Sequence, residues 1–237
     1  MDYMTLKDPD SLHRIFRTYR SLKGFGSWFR GQADEKWALL PSAGREDYYL
    51  PSNRDLGRFR EWSNYAIAHE RLPENIIEAL ALAQHHGLST RLLDWSKNPL
   101  VACYFCVISE IESDGAIYIL EPPNAMAKKR LTLEEIEDYD GVISYIPAAF
   151  TSRVLNQQGL FTIHCPANRE IEILQSKFTP EEHNIKKIIV PSHMKAEIKL
   201  MLDDYGINES TMFPGLDGLS KYINGDTKSM VKRKKSN

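Results

Sequence analysis

The chain has 237 residues, with 30 Lys and Arg against 32 Asp and Glu and a formal net charge of −2. That is enough chain to bury a core without a metal or disulfide staple, and a balance so even gives no overall field toward nucleic acid or a membrane surface. Three cysteines, two of them (Cys103 and Cys106) inside an apolar segment, make no secreted disulfide pattern, and Met1-Asp2-Tyr3-Met4 lacks a basic-then-apolar leader, so a soluble protein of a reducing cytoplasm is expected.

In chain order, Asp8-Pro9 supplies a cap and a proline at the start of a first helix, in which Leu12, Ile15, Phe16 and Tyr19 recur at helical spacing. Lys23 to Gly26 breaks it, and Ser27 to Gln32 reads as a short strand with Trp28 and Arg30 on one face. Trp37 to Ser42 is a second short apolar segment, and Arg45 to Asn53 is a polar connection with paired tyrosines. A long helix is expected from Asn53 to Leu72, marked by Leu56, Phe59, Trp62 and Ala66, and another from Pro73 with Ile76, Ile77 and Leu80, ended by Gly87. Thr90 to Asp94 reads as a strand, Trp95 to Asn98 as a capping turn, and Leu100 to Ser109 as a helix that is apolar all round and hence buried. Its apolar run is about half a membrane span, which makes it a core helix.

Gly115 to Leu120 reads as a strand, and Thr132 to Glu135 has the spacing of a capping box opening a short helix near Ile136. From Phe150 to Gln158 the chain is polar and rich in amides, then runs into a strand at Gly159 to His164. Glu170 to Leu174 and Ile185 to Val190 are two further strands, followed by a helix whose Met194, Ile198, Met201 and Leu202 face the core. Lys228 to Lys235 lacks apolar partners and reads as a solvated, unstructured basic tail. With no repeats and no biased linker, residues 1–227 read as one α+β domain, a central mixed sheet with flanking helices, and 228–237 as the tail. Strands and helices do not alternate as a doubly wound sheet requires.

The stretch from Gln84 to Ser96 packs two histidines, an arginine, an aspartate and a tryptophan into a connector, which a plain turn would not use. Metal chemistry finds no pattern, since His85 and His86 are adjacent and Cys103 and Cys106 have no second pair at zinc spacing. There is no Gly-x-x-x-x-Gly-Lys phosphate loop, no Gly-x-Gly-x-x-Gly turn and no Gly-x-Ser-x-Gly elbow. What remains is a set of arginines and hydrogen-bonding groups at strand ends: Arg30 and Gln32, then Thr90, Arg91, Asp94 and Ser96, then Arg153, Gln157 and Gln158. An arginine fork held at a strand end suits phosphate or carboxylate, so an anionic ligand is expected, with Asp94 pairing Arg91 beside it.

Two blocks, Trp28-Phe29-Arg30-Gly31-Gln32 and Gln84 to Ser96 with the helix after it, resemble the signature of the FRG domain, a bacterial family named for its Phe-Arg-Gly motif. Arg153 with Gln157 to Phe161, and Phe213 to Gly218, resemble its weaker later blocks, so that the likeness runs from about residue 28 to 219. A second likeness is to ADP-ribosyltransferases of the arginine-serine-glutamate type, through Phe29-Arg30-Gly31 and the strand-to-helix corner at Ser96. It implies a fold of that kind and NAD or a related nucleotide as ligand, with no metal. In it Arg30 would hold phosphates, His86 and Trp95 would shape the nicotinamide side, Ser96 would orient the ribose and Glu172 would be the catalytic carboxylate. The sequence departs from that pattern at Gln157-Gln158, where amides stand in place of an acid and cannot stabilise an oxocarbenium-like ribose. Two other readings stay open: a non-catalytic module in which Arg30, Arg91 and Arg153 recognise a phosphorylated or acidic ligand or protein, and a hydrolase of a nucleotide or glycosidic bond with Asp94 as its carboxylate. No membrane or nucleic-acid partner is expected.

Overall fold

Successive residues of an extended strand point to opposite faces, and the apolar side chains of this protein use both faces, as a sheet covered on each side requires. The computed structural model describes residues 2–19, 26–121, 131–148, 152–171 and 184–236. Among these, seven strands form one mixed sheet: β1 (Asp2–Thr5), β2 (Trp28–Gln32), β3 (Leu92–Ser96), β4 (Gly115–Glu121), β5 (Gly141–Tyr145), β6 (Gly159–Cys165) and β7 (Asn184–Val190), in the order β1-β7-β4-β2-β3-β6-β5. Only the β1–β7 pair is parallel. The helices are α1 (Ser11–Tyr19), α2 (Arg54–Ala66), α3 (Ile76–His85), α4 (Pro99–Val107), α5 (Leu133–Asp138), α6 (Ser152–Gln157), α7 (Lys195–Asp204), α8 (Glu209–Met212) and α9 (Leu216–Ser236). The sheet with flanking helices is the α+β architecture expected from the sequence.

The helices begin where polar side chains satisfy their first amides. Asp8 Oδ1 accepts from Ser11 N at 2.8 Å, Asn75 Oδ1 from Ile77 N at 3.0 Å and Asn98 Oδ1 from Leu100 N at 3.0 Å, with Pro99 at the first position of α4. At α5 the capping box closes both ways, Thr132 N to Glu135 Oε2 and Glu135 N to Thr132 Oγ1. Helix α4 is mostly buried, as its composition requires, and each of its buried Val side chains contributes about 1.5–3 kcal/mol.

One face of the sheet carries two cores side by side. Phe29, Ile117, Ile119 and Ile188 pack with α1, α4 and α7, while Leu92, Phe161 and Ile163 pack with α2, α3 and α5. The other face carries a single core, Trp28, Leu93, Trp95, Tyr118, Leu120 and Leu160, that spans both halves. The boundary between the halves is the β2–β3 seam.

Several elements differ from the sequence expectation. Strand β3 starts two residues later than expected and runs through Trp95 and Ser96, because its ladder with β6 continues from Leu92↔Ile163 to Ser96↔Gly159. The amide-rich stretch forms α6, helix α2 ends at Ala66, and β1 and β5 were not foreseen. Glu170 and Ile171 stand outside any strand. The basic end is not an unstructured tail: Lys228 to Lys235 continue α9, in a stretch that holds no Gly or Pro after Gly225 and several good helix formers. Among the described residues no helix is long and apolar enough to cross a membrane.

Candidate functional site

The site forms where the central ladder fails. Strands β2 and β4 are in register from Trp28↔Leu120 to Gln32↔Ala116, yet between β2 and β3 only Phe29 and Ser96 stand opposite one another. Past that rung the strands part. A cleft of about 190 Å³ opens, lined by Phe29, Arg30 and Gly31 of β2, Asp94, Trp95 and Ser96 of β3, Val101, Ala102 and Phe105 of α4, and Gln157 of α6.

Arg30 spans the gap. Its Nη1 donates to the backbone carbonyl of Asp94 at 2.8 Å, taking the place of a ladder bond that β2 does not supply. Its Nε is buried without a partner, and among the described residues no carboxylate lies within ion-pair distance of it. Burial pulls the guanidinium down to about 10, the Asp94 charge pushes it back up and Arg45 lowers it further. Arg30 is thus a cation at neutral pH whose charge the protein solvates poorly. Gly31 is fixed by packing, since a Cβ there would stand 1.8 Å from the Ala102 carbonyl oxygen of α4.

Asp94 is exposed although it lies mid-strand near the centre of a seven-stranded sheet. Its Oδ2 accepts from Gln84 Nε2 at 2.8 Å, and the Gln84 Oε1 accepts from the Thr90 hydroxyl. Thr90 is in turn held by Ser42, whose Oγ accepts from Thr90 N at 3.1 Å. A relay from a 3-10 turn (Ser42–Gly44) through Thr90 and Gln84 therefore orients the acid.

The expected Arg91 to Asp94 pair does not exist. Arg91 is fully buried and forks onto Asp55 of α2, Nε to Oδ2 at 2.8 Å and Nη2 to Oδ1 at 2.6 Å, with Nη2 also 3.1 Å from Asn53 Oδ1. Burial draws this guanidinium down, and Asp55 more than offsets it. Arg91 precedes β3, which begins at Leu92, and its guanidinium turns to α2 and the Cys165 sulfur, whereas Asp94 lies mid-strand and is held by Gln84. Arg91 is a structural ion pair rather than a ligand group.

Trp95 projects into the opposite core, where its indole Nε1 donates to Thr162 Oγ1 at 3.0 Å. Thr162 then turns its own hydrogen to His164 Nε2, also 3.0 Å away, which leaves His164 Nδ1 to donate to the Arg169 carbonyl at 2.5 Å. Ser96 is a joint: its Oγ donates to the Gln157 carbonyl at 2.6 Å and accepts from Asn98 N at 2.9 Å. Gln157 Nε2 continues to the Met212 carbonyl at 2.9 Å. Gln32 is buried and donates to Ala38 O at 3.3 Å. Gln158 is exposed, with φ of 47° and its carbonyl accepting from Lys97 N. His86 ends α3 at the surface, 3.7 Å from Glu70. Glu172 and the side chain of Arg153 lie outside the described residues.

Of the residues singled out from the sequence, Arg30, Asp94, Trp95, Ser96 and Gln157 meet at the cleft; Gln32, His86, Thr90, Arg91 and Gln158 do not line it. Sequence reading missed Gln84 as the residue that orients Asp94 and Asp55 as the partner of Arg91. Cys103 and Cys106 are inert, because burial pushes both thiols up, Cys106 to about 12.

The arrangement defines a class: an α+β protein whose central sheet parts around an arginine, beside an exposed acid. Residues 26–115, which supply every lining group except Gln157, match the family described as the FRG domain. No curated protein and no solved structure matches the chain.

Proposed function

We propose that the β2–β3 cleft binds the phosphate-bearing end of a nucleotide, NAD or a relative of it, with Arg30 as the anion ligand. The observation that carries this is the Arg30 guanidinium, held in a gap of the sheet with a buried Nε that has no partner and with no acid paired to it. Asp94, held by Gln84 on the same cleft, suits the hydroxyls of a ribose, and Phe29 and Phe105 offer apolar walls. At about 190 Å³ the cleft is below the usual ligand-pocket range of about 300–1,000 Å³, so it takes one end of a dinucleotide and leaves the other end outside.

Binding is better supported than transfer of ADP-ribose. The Ser96 hydroxyl is committed at both its donor and its acceptor side, and Asp94 is the one carboxylate among the described lining residues. Calorimetric titration with NAD, run beside an assay for released nicotinamide, tests the reading. Wild type binds, and Arg30→Ala stays folded and loses the heat of binding. If Arg30→Ala binds NAD as wild type does, the cleft is not the site.

A further inference from the structure

Helix α9 leaves the fold almost as soon as it starts. Its root is wedged: a Cβ on Gly218 would stand 1.9 Å from the Phe213 carbonyl oxygen, and Lys221 Nζ lies 5.9 Å from the centre of the Phe213 ring. Tyr222 is half-buried, and from Ile223 to Val231 every residue whose side chain is described is exposed. The helix nevertheless runs on to Ser236. A helical stretch that buries so little of itself is marginal in water, so its surface is a place where a partner adds stability.

That surface has two parts. Leu216, Leu219, Ile223 and Met230 are spaced by three, four and seven residues, which sets them along one side of the helix, with Val231 at their border. They are large and exposed, Leu216 by 80%, Ile223 by 54% and Met230 by 56%. From Lys228 onward the sequence then turns basic: Lys228, Lys232, Arg233, Lys234 and Lys235 come with no acid among them, in a chain whose formal net charge is −2. The even balance of the whole chain therefore hides a cationic segment on an otherwise acidic protein. An apolar stripe bordered by basic residues fits an anionic lipid surface, where Leu, Ile and Met enter the headgroup layer and Lys and Arg meet its charge. Other occupants fit less well. Nucleic acid would use the basic residues and leave the stripe wet. A second copy would bring like charges together. A two-walled protein groove would bury Asp226, which follows Ile223 by three residues at the edge of the stripe, whereas a bilayer leaves that edge in water.

We propose that α9 docks on an anionic bilayer, lying along the surface rather than crossing it, since among the described residues no helix is long and apolar enough to span. The inference is independent of the cleft reading. The test is cosedimentation of the full chain with vesicles of phosphatidylcholine alone and of equal parts phosphatidylcholine and phosphatidylserine, with far-UV circular dichroism on every variant. Wild type pellets with the mixed vesicles, less so as salt rises, and stays in solution with phosphatidylcholine alone. Ile223→Ser combined with Met230→Ser, at exposed positions, stays folded and binds about tenfold more weakly or worse. Lys232→Gln, Arg233→Gln, Lys234→Gln and Lys235→Gln together weaken binding by roughly a hundredfold or more, at the usual increment for each basic residue. Wild type that ignores the mixed vesicles, or that prefers duplex RNA or polyglutamate to them, overturns the proposal. So does a stripe variant that binds like wild type, which would leave a plain polybasic segment.

Discussion

Replacing Asp55 by Ala tests the reassignment of Arg91 most directly. The Arg91 guanidinium has no exposure, and Asp55 receives two of its hydrogen bonds; without the acid, Asn53 Oδ1 at 3.1 Å and the Cys165 sulfur at 3.7 Å are left to it. An unpaired charge at such a place costs about 3–5 kcal/mol. For a domain of this size each kcal/mol moves the midpoint by about 2–4 °C, so Asp55→Ala should melt about 6–20 °C lower than wild type. Asp55→Leu combined with Arg91→Met removes charge and partner together and should recover at least half of that loss, because well-packed apolar replacements of buried pairs are often neutral. Asp94→Asn, at an exposed position, should stay within about 0.5 kcal/mol. The assay is urea unfolding followed by far-UV circular dichroism, with thermal melts alongside. If Asp55→Ala unfolds at the wild-type midpoint, or the double variant loses as much as the sum of its parts, the pair does not hold α2 to β3 as described.

Other expectations follow from single contacts. Gly31→Ala forces a methyl against the Ala102 carbonyl and should cost at least the ~1–3 kcal/mol of an overpacked core, whereas Gly57→Ala, with open space in α2, should gain about 0.5–1 kcal/mol; a reversed order in melting temperature would refute the packing of α4 on β2. Thr162→Val strips the acceptor from the buried Trp95 indole and should cost about 1–3 kcal/mol, so an unchanged urea midpoint would dissolve the relay. NAD affinity should fall as pH rises through about 10, where burial places the loss of the Arg30 charge, and should be flat from pH 6 to 9 if Arg30 alone sets it. The sign follows because the protonated guanidinium is the form that attracts phosphate. Loss of binding only near the ordinary arginine value would show that Arg30 is fully solvated.

Much of the helical layer was legible, because it is written in local signals. Asp8, Thr132 with Glu135, and Asn98 before Pro99 cap helices where expected, and the unbroken apolar composition of α4 announces its burial. Strands β1 and β5 were not legible: each is short, and each is made by its partner, β1 by parallel pairing with β7 and β5 by β6. The partner of Arg91 was missed for a related reason. Asp55 stands 36 positions away, and only the docking of α2 beside the residue before β3 shows which acid Arg91 reaches. Arg30 and the exposed Asp94 could be picked out as unusual, but the cleft between them depends on where β2 and β3 stop pairing, which neither strand's own sequence announces.

The single rung between β2 and β3 divides the sheet into two plates, β1-β7-β4-β2 and β3-β6-β5. Along every other junction a run of backbone bonds resists shear, but here the resistance comes from one rung, one arginine side chain and the apolar core beneath. The amides of β2 and β3 that face the seam should accordingly exchange with solvent sooner than those facing β4 and β6. A ligand seated there would act as a missing row of stitches, and its occupancy would be read in the slowed exchange of strands it does not touch.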